Sequence, residues 1–576
     1  MKKKWLIKEA PDLQQVQKLK NELKLEEVIA YLLIQRGITD YENMRVFFRG
    51  TLQELHDPFL MLHMKEAVQR VNKALLDKEK ILIYGDYDVD GTTAVTMMYS
   101  FLSKHTSNLD YYIPDRYKEG YGVSEQGIHF AKDNGFSLII TLDCGIKANE
   151  QADLAKSLGI DMIVCDHHTP GEVLPAAIVL DPKQKNCEYP YKELSGCGVG
   201  FKLLQALSME NKWDMKELFS YLDLLAISIG ADIVPVTGEN RLLAQHGLKT
   251  LNQNTRLSID WMLKLAKKEK PLTLTDVVFT IAPRINAAGR LEDAKSVVEL
   301  LSSNDEEKIK DIAQKIQDLN DERRSLDKAT TQEALEIIKE QKDFEKKVTT
   351  VVYKEDWHKG VIGIVASRLI ENYYRPTIVL TQSEDGNFWT GSARSIDEIN
   401  IYEVLNKCKE TLEQFGGHFH AAGLTLTAKN LPRFLEKFEQ EVSKIVGDDD
   451  LIEEQLIERE LKFNELFTMG ESVTQIPRLM RVLSQFEPYG PDNMRPLFLA
   501  KNVYARNIKI LKDEHLKMEV FQPDFQKPID AIFFNNSSIY EAIRDTPFDM
   551  VFTLEENQFR GRSTPQLMIK DIRPLL

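Results

Sequence analysis

Three aspartates lie within five residues of one another, directly after an apolar run: Asp86, Asp88 and Asp90 follow residues 81–85, ILIYG. Carboxylates this close repel one another, so they cannot all ionise at low cost unless a cation lies among them. A divalent metal ion would remove this conflict. The spacing of the three residues therefore predicts a metal-binding loop.

Two more apolar runs and one later segment end in groups that bind metals. They supply Asp143 after 138–142, Asp166, His167 and His168 after 162–165, and Asp232 within GADIVP. Carboxylate oxygens and an imidazole nitrogen, without thiolate sulfur, favour Mn²⁺ or Mg²⁺ over structural zinc. Two such ions about 4 Å apart can activate a water molecule and stabilise the attacking and leaving oxygens of a phosphoryl transfer. The combination predicts a metal-dependent enzyme.

Each of these residues also has an ordinary structural explanation. A lone aspartate after a strand is more often a solvated turn or a helix N-cap, and Asp86 in particular can be a cap or a group outside the ligand shell. Paired histidines are often structural as well. Three such motifs, each at the end of an apolar run, favour a metal site over coincidence.

The elements that must position these residues follow from the hydrophobic pattern. Between residues 80 and 185, continuous apolar runs alternate with helix-like segments, which is typical of a mostly parallel sheet covered by helices on both faces. The runs are 81–84, 109–113, 138–142, 162–165 and 177–180. Ligands bind such sheets outside the carboxyl ends of the strands, and all three acidic motifs lie there. The predicted fold class is α/β.

The rest of the chain is divided by its patterns into further parts. Helices are predicted before residue 75 and between 200 and 300, and the amphipathic segment 304–342 is either a helix that connects two domains or a surface helix. A second, smaller α/β unit follows, with strands at 348–352, 377–380 and 388–392, and ends before the acidic run 448–450. Short strands within 460–576 favour a small antiparallel barrel of the OB type, a common single-strand-binding module. The predicted domains are 1–300, 301–345, 346–460 and 461–576.

The bulk composition restricts the class of protein. A chain of 576 residues exceeds what one hydrophobic core usually serves. The net charge of −15 argues against a protein that coats nucleic acid by bulk attraction, but not against one that threads a strand through a local basic groove. Five scattered cysteines without zinc spacing suggest reduced thiols in the cytosol. No stretch approaches the ~20 apolar residues of a membrane span, and the apolar run at the N-terminus is too short for a signal peptide.

Eight motifs carry a resemblance to a known family. GDYDVDG from Gly85, TLDCG from Thr141, CDHH from Cys165 and GADIVP from Gly230, in that order, resemble the DHH phosphoesterase superfamily. Within it, the chain is similar to the RecJ family of 5′→3′ single-strand DNA exonucleases. That similarity rests on IPDRYKEGYG from Ile113, RINAAGR from Arg284, WHKGVIGIVASRL from Trp357 and GGHFHAAG from Gly416. It covers nearly the whole chain, including the C-terminal region.

The resemblance implies roles for the acidic motifs and for one strand of the smaller unit. The family's metal-ligand positions fall on Asp88, Asp90, Asp143, His167 and Asp232, with Asp86 and Asp166 as acidic neighbours whose roles stay undivided. His168 falls where the family has a histidine at the scissile phosphate, and it can stabilise developing charge or protonate the leaving oxygen. Ser392, Ala393 and Arg394 are implied to bind the 5′ phosphate.

Several further residues are candidates for substrate binding. Arg116 can hold a terminal phosphate or can be a surface loop arginine. Arg284 and Arg290 either line the path of the strand or form an interdomain salt bridge. Gly417, with Gly416 and Gly423, allows close backbone approach to an anion or simply makes turns, and His418 and His420 orient or contact phosphate rather than bind metal. Candidates for stacking on bases, with the hydrophobic core as the alternative, are Tyr87, Tyr111, Tyr112, Tyr121 and Trp357.

The residues predict a site for two divalent ions, Mn²⁺ or Mg²⁺. The resemblance implies an exonuclease that releases 5′ mononucleotides from single-stranded DNA in recombination and repair. The resemblance implies a helicase and single-strand binding protein as partners, and a cytoplasmic monomer is expected. One alternative is a DHH phosphodiesterase for short oligoribonucleotides or cyclic dinucleotides, but those relatives usually have only the two α/β units. Another is a non-catalytic replication scaffold, which would be expected to have lost metal ligands.

Overall fold

The computed structural model describes residues 3–383, 386–447, 451–467, 471–559 and 561–575. They form two compact units. The larger unit contains Trp5–Gly289, Asp293–Gln314 and Leu456–Leu576, and the smaller one consists mainly of Lys315–Gln455. The acidic run 448–450, which precedes the predicted end of the smaller domain, lies outside the described residues.

The larger unit contains a five-stranded parallel sheet. In spatial order its strands are Leu109–Tyr112, Ile81–Gly85, Leu138–Leu142, Asp161–Cys165 and Ile178–Leu180. The register pairs Gly85 with Leu142, and Leu142 with Cys165. The residues that follow these three strands therefore leave the sheet side by side at its carboxyl edge, where parallel sheets bind ligands. This confirms the predicted α/β fold class.

Helices cover both faces of this sheet: Glu125–Asp133 and Asn149–Ser157 lie on one face, and Val89–Leu102 and Gly196–Asn211 contact its strands as well. Because the sheet is covered on both sides, its strands are continuous apolar runs rather than alternating ones. Every residue of Ile81–Gly85 and of Leu138–Leu142 is buried. The sheet therefore gives the residues at its carboxyl edge a rigid base.

Helices also occupy the two regions that the sequence predicts as helical. Before the sheet they are Leu13–Leu23, Glu27–Gln35, Tyr41–Arg49 and Met64–Leu76. After it they are Met215–Phe219, Leu222–Ala231, Gly238–Gln253, Leu257–Ala266, Leu274–Asp276, the π-helical Val277–Ile281, Ala282–Leu291 and Lys295–Ser302. A short strand that the sequence does not predict, Lys4–Ile7, pairs with Glu454–Ile457. Among the described residues, no helix combines the length and the apolar character that crossing a membrane would require.

The predicted long helix is present as Glu306–Glu340, with 35 residues. Its first turn is capped by Asp305, whose side chain accepts hydrogen bonds from the N–H groups of Glu307 and Lys308 at 3.1 and 3.3 Å. Ile309 and Ile316 are fully buried, as their spacing on one helix face predicts. This confirms the connecting helix of the predicted architecture.

The smaller unit contains a mixed five-stranded sheet. Its strands, in spatial order, are Gln414–Gly417, Ala421–Thr427, Phe388–Arg394, Thr377–Gln382 and Thr350–Tyr353. The last two strands pair in parallel and the others are antiparallel. The helices of this unit include Lys359–Tyr373, Ile401–Lys407 and Leu431–Val446, and Phe434 and Phe438 fill its core. The first two strands form a hairpin that the sequence does not predict.

The C-terminal region forms a closed five-stranded barrel. Its strands, in order around the barrel, are Phe498–Leu511, His515–Gln522, Phe525–Phe533, Arg562–Pro574 and Phe548–Phe559. Closure comes from the pairing of the first strand with the last, for example Phe498 with Phe552. The barrel confirms the predicted OB-type module, but it is not wholly antiparallel, because Phe525–Phe533 and Arg562–Pro574 run parallel.

Candidate metal centre

Six side chains from four separate segments converge at the carboxyl edge of the parallel sheet. We call Asp86, Asp88, Asp90, Asp143, His167 and Asp232 the metal-site cluster. With His168 they form three groups whose ligand atoms lie within 4.8 Å of one another: Asp86, Asp88 and Asp143; Asp90, His167 and Asp232; and Asp143, His167 and His168. Asp143 and His167 each belong to two of these groups, so the three groups form one continuous set of ligand atoms.

The loop after the strand Ile81–Gly85 presents three of these carboxylates. Asp86 follows the strand directly, and Asp88 is the N-cap of helix Val89–Leu102, where its side chain accepts a backbone hydrogen bond at 3.0 Å. Asp90 lies in the first turn of that helix rather than on the loop. The helix cap is therefore Asp88 and not Asp86. Capping uses one carboxylate oxygen and leaves the other for a metal ion.

Asp90 is oriented by the N-terminus of another helix, Gly196–Asn211. Its carboxylate accepts from the backbone N–H of Gly196 at 2.6 Å and of Cys197 at 2.9 Å. The hydroxyl of Ser228 donates a third hydrogen bond at 2.6 Å. Unpaired N–H groups at a helix start bind anions well, so this helix fixes the carboxylate that faces the cluster.

The remaining members meet around His167. Its Nε2 atom lies 3.2 Å from Oδ1 of Asp143, 3.5 Å from Oδ2 of Asp232 and 3.9 Å from Oδ2 of Asp90. Asp143 has a φ of 59, a left-handed conformation that aspartate tolerates better than most residues. Asp232 is the C-cap of helix Leu222–Ala231. Residues far apart in the chain are thus brought into one neighbourhood.

The residues of the cluster fit a bound divalent cation. Among the described residues, the buried atoms without a hydrogen-bond partner include both carboxylate oxygens of Asp86, Oδ1 of Asp143, Oδ2 of Asp232 and both ring nitrogens of His167. Buried polar atoms without partners are costly. Five carboxylates and one imidazole nitrogen form the oxygen-rich set that Mn²⁺ and Mg²⁺ prefer.

The electrostatics of the cluster also fit bound divalent cations. Burial, followed by repulsion from neighbouring carboxylates, raises the pKa of Asp86, Asp143 and Asp232 well above the ordinary value. Burial also lowers the pKa of His167 to about 4, so its ring brings no positive charge at neutral pH. Divalent cations would supply the charge that these carboxylates lack.

Asp166 is not a member of the metal-site cluster, and its carboxylate instead orients His168. One of its oxygens accepts from Nδ1 of His168 at 2.7 Å and from the backbone N–H groups of His167 and His168, and the other accepts from the N–H of Ile146 at 2.9 Å. Burial opposes ionisation of Asp166, but the hydrogen bond and the charge of His168 outweigh it and lower the pKa of Asp166 to about 2. The structure thus separates two residues that the sequence left undivided, because Asp86 opens onto the cluster whereas Asp166 is fully bonded.

Tyr121, which the sequence marks only as a base-stacking candidate, contacts the same histidine. Its hydroxyl lies 3.2 Å from Nε2 of His168 and 3.4 Å from the carbonyl oxygen of Asp143. Arg116 is also near the cluster, since its guanidinium lies 4.9 Å from the ring centre of Tyr87, the residue between Asp86 and Asp88. Both side chains therefore lie beside the metal-site cluster.

The other three stacking candidates pack against neighbouring side chains: Tyr112 and Trp357 are buried, and Tyr111 is half-buried. Tyr112 is buried, stacks on Tyr84 at 5.4 Å and donates from its hydroxyl to Glu119. Tyr111 packs edge-on against Tyr99 at 5.1 Å. Trp357 is buried and belongs to a core cluster of the smaller unit. The core alternative therefore describes these residues better than stacking on bases does.

Gly196 is a residue of the centre that the sequence did not identify. A Cβ atom there would lie 2.5 Å from Cβ and 2.7 Å from Oδ1 of Asp143. Only a hydrogen at this position lets the helix that binds Asp90 approach Asp143. Gly196 lies in the run SGCGVG, whose sequence alone indicates close packing of a helix. That interpretation fits Gly200, whose Cβ would contact Leu142, but it does not explain Gly196.

We expect Gly196→Ala to weaken Mn²⁺ binding at least about tenfold, because the new methyl group must displace the carboxylate of Asp143. Calorimetric titration with Mn²⁺ measures the effect. Gly198→Ala is the matched control, since its Cβ would make only ordinary contacts of 3.4 Å with the same helix turn. Equal affinities of the Gly196→Ala variant and the wild-type protein would refute the steric argument.

Gly289 brings a second segment close to the cluster. A Cβ there would lie 2.6 Å from the carbonyl oxygen of Tyr87, so the helix Ala282–Leu291 touches the loop that carries Asp86 and Asp88. Arg284 precedes it in that helix, is 8% exposed and donates to the carbonyl oxygen of Thr280. The motif RINAAGR thus packs against the metal-binding loop.

The predicted phosphate-binding residues of the smaller unit lie on one sheet. Nη1 of Arg394 donates to Oγ of Ser392 at 2.9 Å. A Cβ at Gly363 would lie 2.8 Å from Nη2 of Arg394 and 2.9 Å from Oγ of Ser392, so the first turns of helix Lys359–Tyr373 approach both side chains closely. Arg290 donates to the carbonyl oxygen of Gly360 at 3.1 Å near the start of this helix. Two arginines, a hydroxyl and a helix N-terminus therefore lie in one region, which suits a phosphate.

The hairpin that contains Gly417 and His418 borders the same strand. Ala422 pairs with Ala393 on one side and with Gly417 on the other. Gly417 has a φ of 150, and a Cβ there would lie 2.4 Å from the carbonyl oxygen of Ala421. The turn itself therefore requires this glycine. His418 is exposed at the end of the hairpin.

Known proteins match nearly the whole chain. Residues 80–229 match the sequence model of the DHH family, N-terminal domain, residues 345–444 that of the DHHA1 domain, and residues 473–571 that of the RecJ OB domain. The chain is 38% identical over 575 residues to the single-stranded-DNA-specific exonuclease RecJ of Bacillus subtilis (strain 168), covering 99% of this chain and 71% of that protein.

Two solved structures are similar over the same extent. The crystal structure of RecJ in complex with Mn²⁺ from Thermus thermophilus has a TM-score of 0.84 and 25% sequence identity, covering 99% of this chain and 79% of that chain. The Mg²⁺ complex from the same organism has a TM-score of 0.78 and 25% identity, covering 99% and 78%. With three domain matches in the order that the motifs predict and 38% identity over almost its full length, the chain belongs to the RecJ family of the DHH phosphoesterase superfamily.

Proposed function

We propose that the chain is a metal-dependent exonuclease that hydrolyses single-stranded DNA from the 5′ end and releases 5′ mononucleotides, in DNA recombination and repair. The observation that carries the proposal is the metal-site cluster, a buried set of carboxylates with oxygens that lack partners among the described residues. Membership of the family supports the substrate, since relatives are named single-stranded-DNA-specific exonucleases. The closed barrel adds a module of the kind that binds single strands.

Two divalent ions, Mn²⁺ or Mg²⁺, are the cofactors that the cluster would hold. Asp86, Asp88 and Asp143 would hold one ion, and Asp90, His167 and Asp232 would hold the other. Bound there, the ions would supply Lewis-acid activation of water and positive charge for phosphoryl transfer. The protein's own part is to hold six ligands in fixed positions on a sheet edge and two helix ends.

We assign His168 to the reacting phosphate. Its Nδ1 donates to Asp166, which fixes the tautomer and directs Nε2 towards the hydroxyl of Tyr121. Burial disfavours the charged ring, but the hydrogen bond to Asp166 and its charge outweigh burial and raise the pKa of His168. A protonated ring presents a donor at Nε2, which can stabilise charge on a phosphate oxygen or protonate the leaving oxygen.

We assign the 5′ phosphate to Ser392 and Arg394 beside the N-terminus of helix Lys359–Tyr373. A charged guanidinium and the helix dipole both favour a dianionic group there. Such a site would explain why cleavage starts at the 5′ end. Further substrate contacts are proposed for Arg116, Arg284, Arg290, Gly417 and His418.

We expect Arg394→Ala to raise KM for a 5′-phosphorylated single strand about 10- to 100-fold, because a charge-assisted hydrogen bond is lost. The same variant should change KM for a 5′-hydroxyl strand little. Steady-state kinetics on the two oligonucleotides give the comparison, with Arg433→Ala as control, since that arginine is 66% exposed in the same unit. An equal loss on both substrates would argue against a 5′-phosphate site.

The experiment that tests the function uses one oligonucleotide labelled at either end. With Mn²⁺, the 5′ label should appear at once as a mononucleotide, while the 3′ label should remain in shortening strands. Duplex DNA of the same sequence should be degraded slowly. Faster turnover of a dinucleotide or cyclic dinucleotide than of the long strand would instead favour the phosphodiesterase alternative.

The remaining assignments are proposals of the same kind. We propose a monomer that works with a helicase and single-strand binding protein in the cytoplasm. All five cysteines are buried free thiols, which suits a reducing compartment. We also propose the domain limits 1–300, 301–345, 346–460 and 461–576. Light scattering at micromolar concentration tests the monomer, and a dimer would overturn it.

A further inference from the structure

The turn that follows the metal-site residue Asp232 has a strained backbone. Ile233 has a φ of 60, and its side chain is 70% exposed. A β-branched residue in the left-handed region is an outlier that persists only where surrounding contacts fix the backbone. The turn 232–237 therefore depends on support from outside itself.

A loop that precedes the barrel supplies this support. We call residues 484–493 the barrel-proximal loop; the strand Phe498–Leu511 begins soon after it. The N–H of Val236, which is fully buried, donates to the carbonyl oxygen of Pro491 at 2.8 Å. A Cβ at Gly490 would lie 2.4 Å from Cγ2 of Val236, so the loop backbone packs directly on the turn.

Arg241 holds the barrel-proximal loop in one conformation. Its guanidinium donates to backbone carbonyl oxygens of the loop at 2.7 to 3.3 Å, namely those of Gln485, Phe486, Glu487 and Pro488. Asn493 adds two more bonds to carbonyl oxygens of the loop, each of 2.9 Å. Arg241 itself lies in the helix Gly238–Gln253, which begins directly after the turn. The side chain of Arg241 thus links the loop to the helix that follows Asp232 and its turn.

The charge of Arg241 makes this arrangement costly. The residue is 4% exposed, and its electrostatic neighbours among the described residues are Tyr489 and Arg36 rather than a carboxylate. A buried charge without a counter-ion weakens a fold unless its hydrogen bonds compensate. The carbonyl oxygens of the loop provide those bonds, and they specify the loop's conformation.

We propose that Arg241 and the barrel-proximal loop are positioning groups that set the carboxylate of Asp232 for cation binding. The inference rests on the proposed function, because it takes the metal-site cluster as the place where cations bind. It makes the segment in front of the C-terminal barrel part of the support of the metal centre. Groups that orient a metal ligand typically change metal affinity about 10- to 100-fold.

The test measures Mn²⁺ binding to the full chain by calorimetric titration without substrate, and separately the dependence of hydrolysis on Mn²⁺ concentration. We expect Arg241→Ala to weaken Mn²⁺ binding about tenfold or more, with hydrolysis restored at saturating Mn²⁺. Arg241→Lys keeps the charge but not the fork of donors, so an intermediate loss is expected.

The matched control is Arg70→Ala. Arg70 is paired with Glu79 and Asp161 at the amino end of the strands, at 2.7 and 2.6 Å. Its removal should lower the melting temperature and leave Mn²⁺ affinity unchanged. A general loss of stability is thereby distinguished from a loss of positioning.

Gly490→Ala alters the contact between the barrel-proximal loop and Val236 without changing Arg241. If Arg241→Ala does not fold, the Mn²⁺ affinity of Gly490→Ala alone tests the inference. We expect it to weaken Mn²⁺ binding as well, because the added methyl group pushes on Val236. Wild-type Mn²⁺ affinity in a folded Arg241→Ala or Gly490→Ala variant would overturn the inference and leave the proposed function standing. Failure of the wild-type chain to bind Mn²⁺ would overturn both.

Discussion

Asp143→Asn is expected to abolish Mn²⁺-dependent hydrolysis, with a loss of at least about 10³-fold in kcat/KM, and at the same time to stabilise the metal-free protein. Asp143 forms one group of ligand atoms with Asp86 and Asp88, and its Oδ1 lies 3.2 Å from Nε2 of His167 in the other proposed ligand set, so its loss affects both proposed ion positions. Asparagine has the same shape, which preserves the close contact with Gly196. The effect on activity therefore comes from lost charge rather than from lost packing.

The stabilisation follows from the direction of the pKa shift. Burial, then repulsion from Asp90 and Asp88, raises the pKa of Asp143 in the folded state. A carboxyl group whose folded pKa is raised destabilises the fold above its unfolded pKa, because the folded state binds more protons there. The melting temperature of the metal-free variant should exceed that of the wild type by about 1 °C for each kcal/mol of stabilisation, because the unfolding entropy of a chain of this length is about 1 kcal/mol/K. The difference should vanish below about pH 4 and grow as the pH rises.

Saturating Mn²⁺ should reverse the order of the two melting temperatures, because only the wild type gains binding free energy from the ion. Differential scanning calorimetry with and without Mn²⁺ measures both effects. Asp153→Asn, the same chemical change at an exposed position, is the control and should alter neither. A variant that kept full hydrolysis, or that gained the wild-type Mn²⁺ shift, would show that Asp143 is not a metal ligand.

The carboxylates of the cluster were accessible to prediction because their positions depend on local rules. Asp86 and Asp143 each directly follow an apolar run, His167 follows another one residue later, after Asp166, and parallel strands align their carboxyl ends. The register of the sheet then places the residues after these strands side by side, because it pairs Gly85 with Leu142 and Leu142 with Cys165. Sequence pattern alone therefore locates three of the segments that form the site.

The supporting residues were not accessible, because their roles arise only from contacts between distant segments. Gly196 matters through the space it leaves for Asp143, and a glycine in a sequence does not show which atom it must avoid. Tyr121 is only a candidate for base stacking in the sequence, but its hydroxyl lies against His168. The separation of Asp86 from Asp166 likewise depends on which oxygens are bonded, and neighbouring acidic residues look alike in sequence.

The hairpin of the smaller unit was missed for a different physical reason. Its strands, Gln414–Gly417 and Ala421–Thr427, include GGHFHAAG, a glycine-rich run that is typical of turns. What makes the second of them a strand is backbone pairing with Phe388–Arg394, for example of Gly423 with Ser392. Ala422, Leu424 and Leu426 are buried in alternation with more exposed residues, which is typical of a strand, but this alternation starts inside the glycine-rich run and is therefore short.

His168→Gln should lower kcat about 10²- to 10⁴-fold and leave Mn²⁺ affinity nearly unchanged, because the proposed role of His168 is to meet the phosphate rather than to bind an ion. The prediction separates two possible roles of His168, because its ligand atom also lies close enough to those of Asp143 and His167 for the three residues to hold a metal ion together. Titration with Mn²⁺ and steady-state kinetics on the single strand distinguish the two roles. His129→Gln, at an exposed position, is the control for the chemical change.

Asp166→Asn should act through His168, and it should therefore cause only part of the fall in kcat that His168→Gln causes. The substitution removes the carboxylate charge that accepts from Nδ1 and favours the protonated ring. We expect a fall in kcat of about 10- to 100-fold, and no further fall when Asp166→Asn is added to His168→Gln, because residues that act as a unit are not additive. If the double variant instead shows the product of the two losses, Asp166 has a role of its own. Weaker Mn²⁺ binding by His168→Gln would place that histidine among the metal ligands.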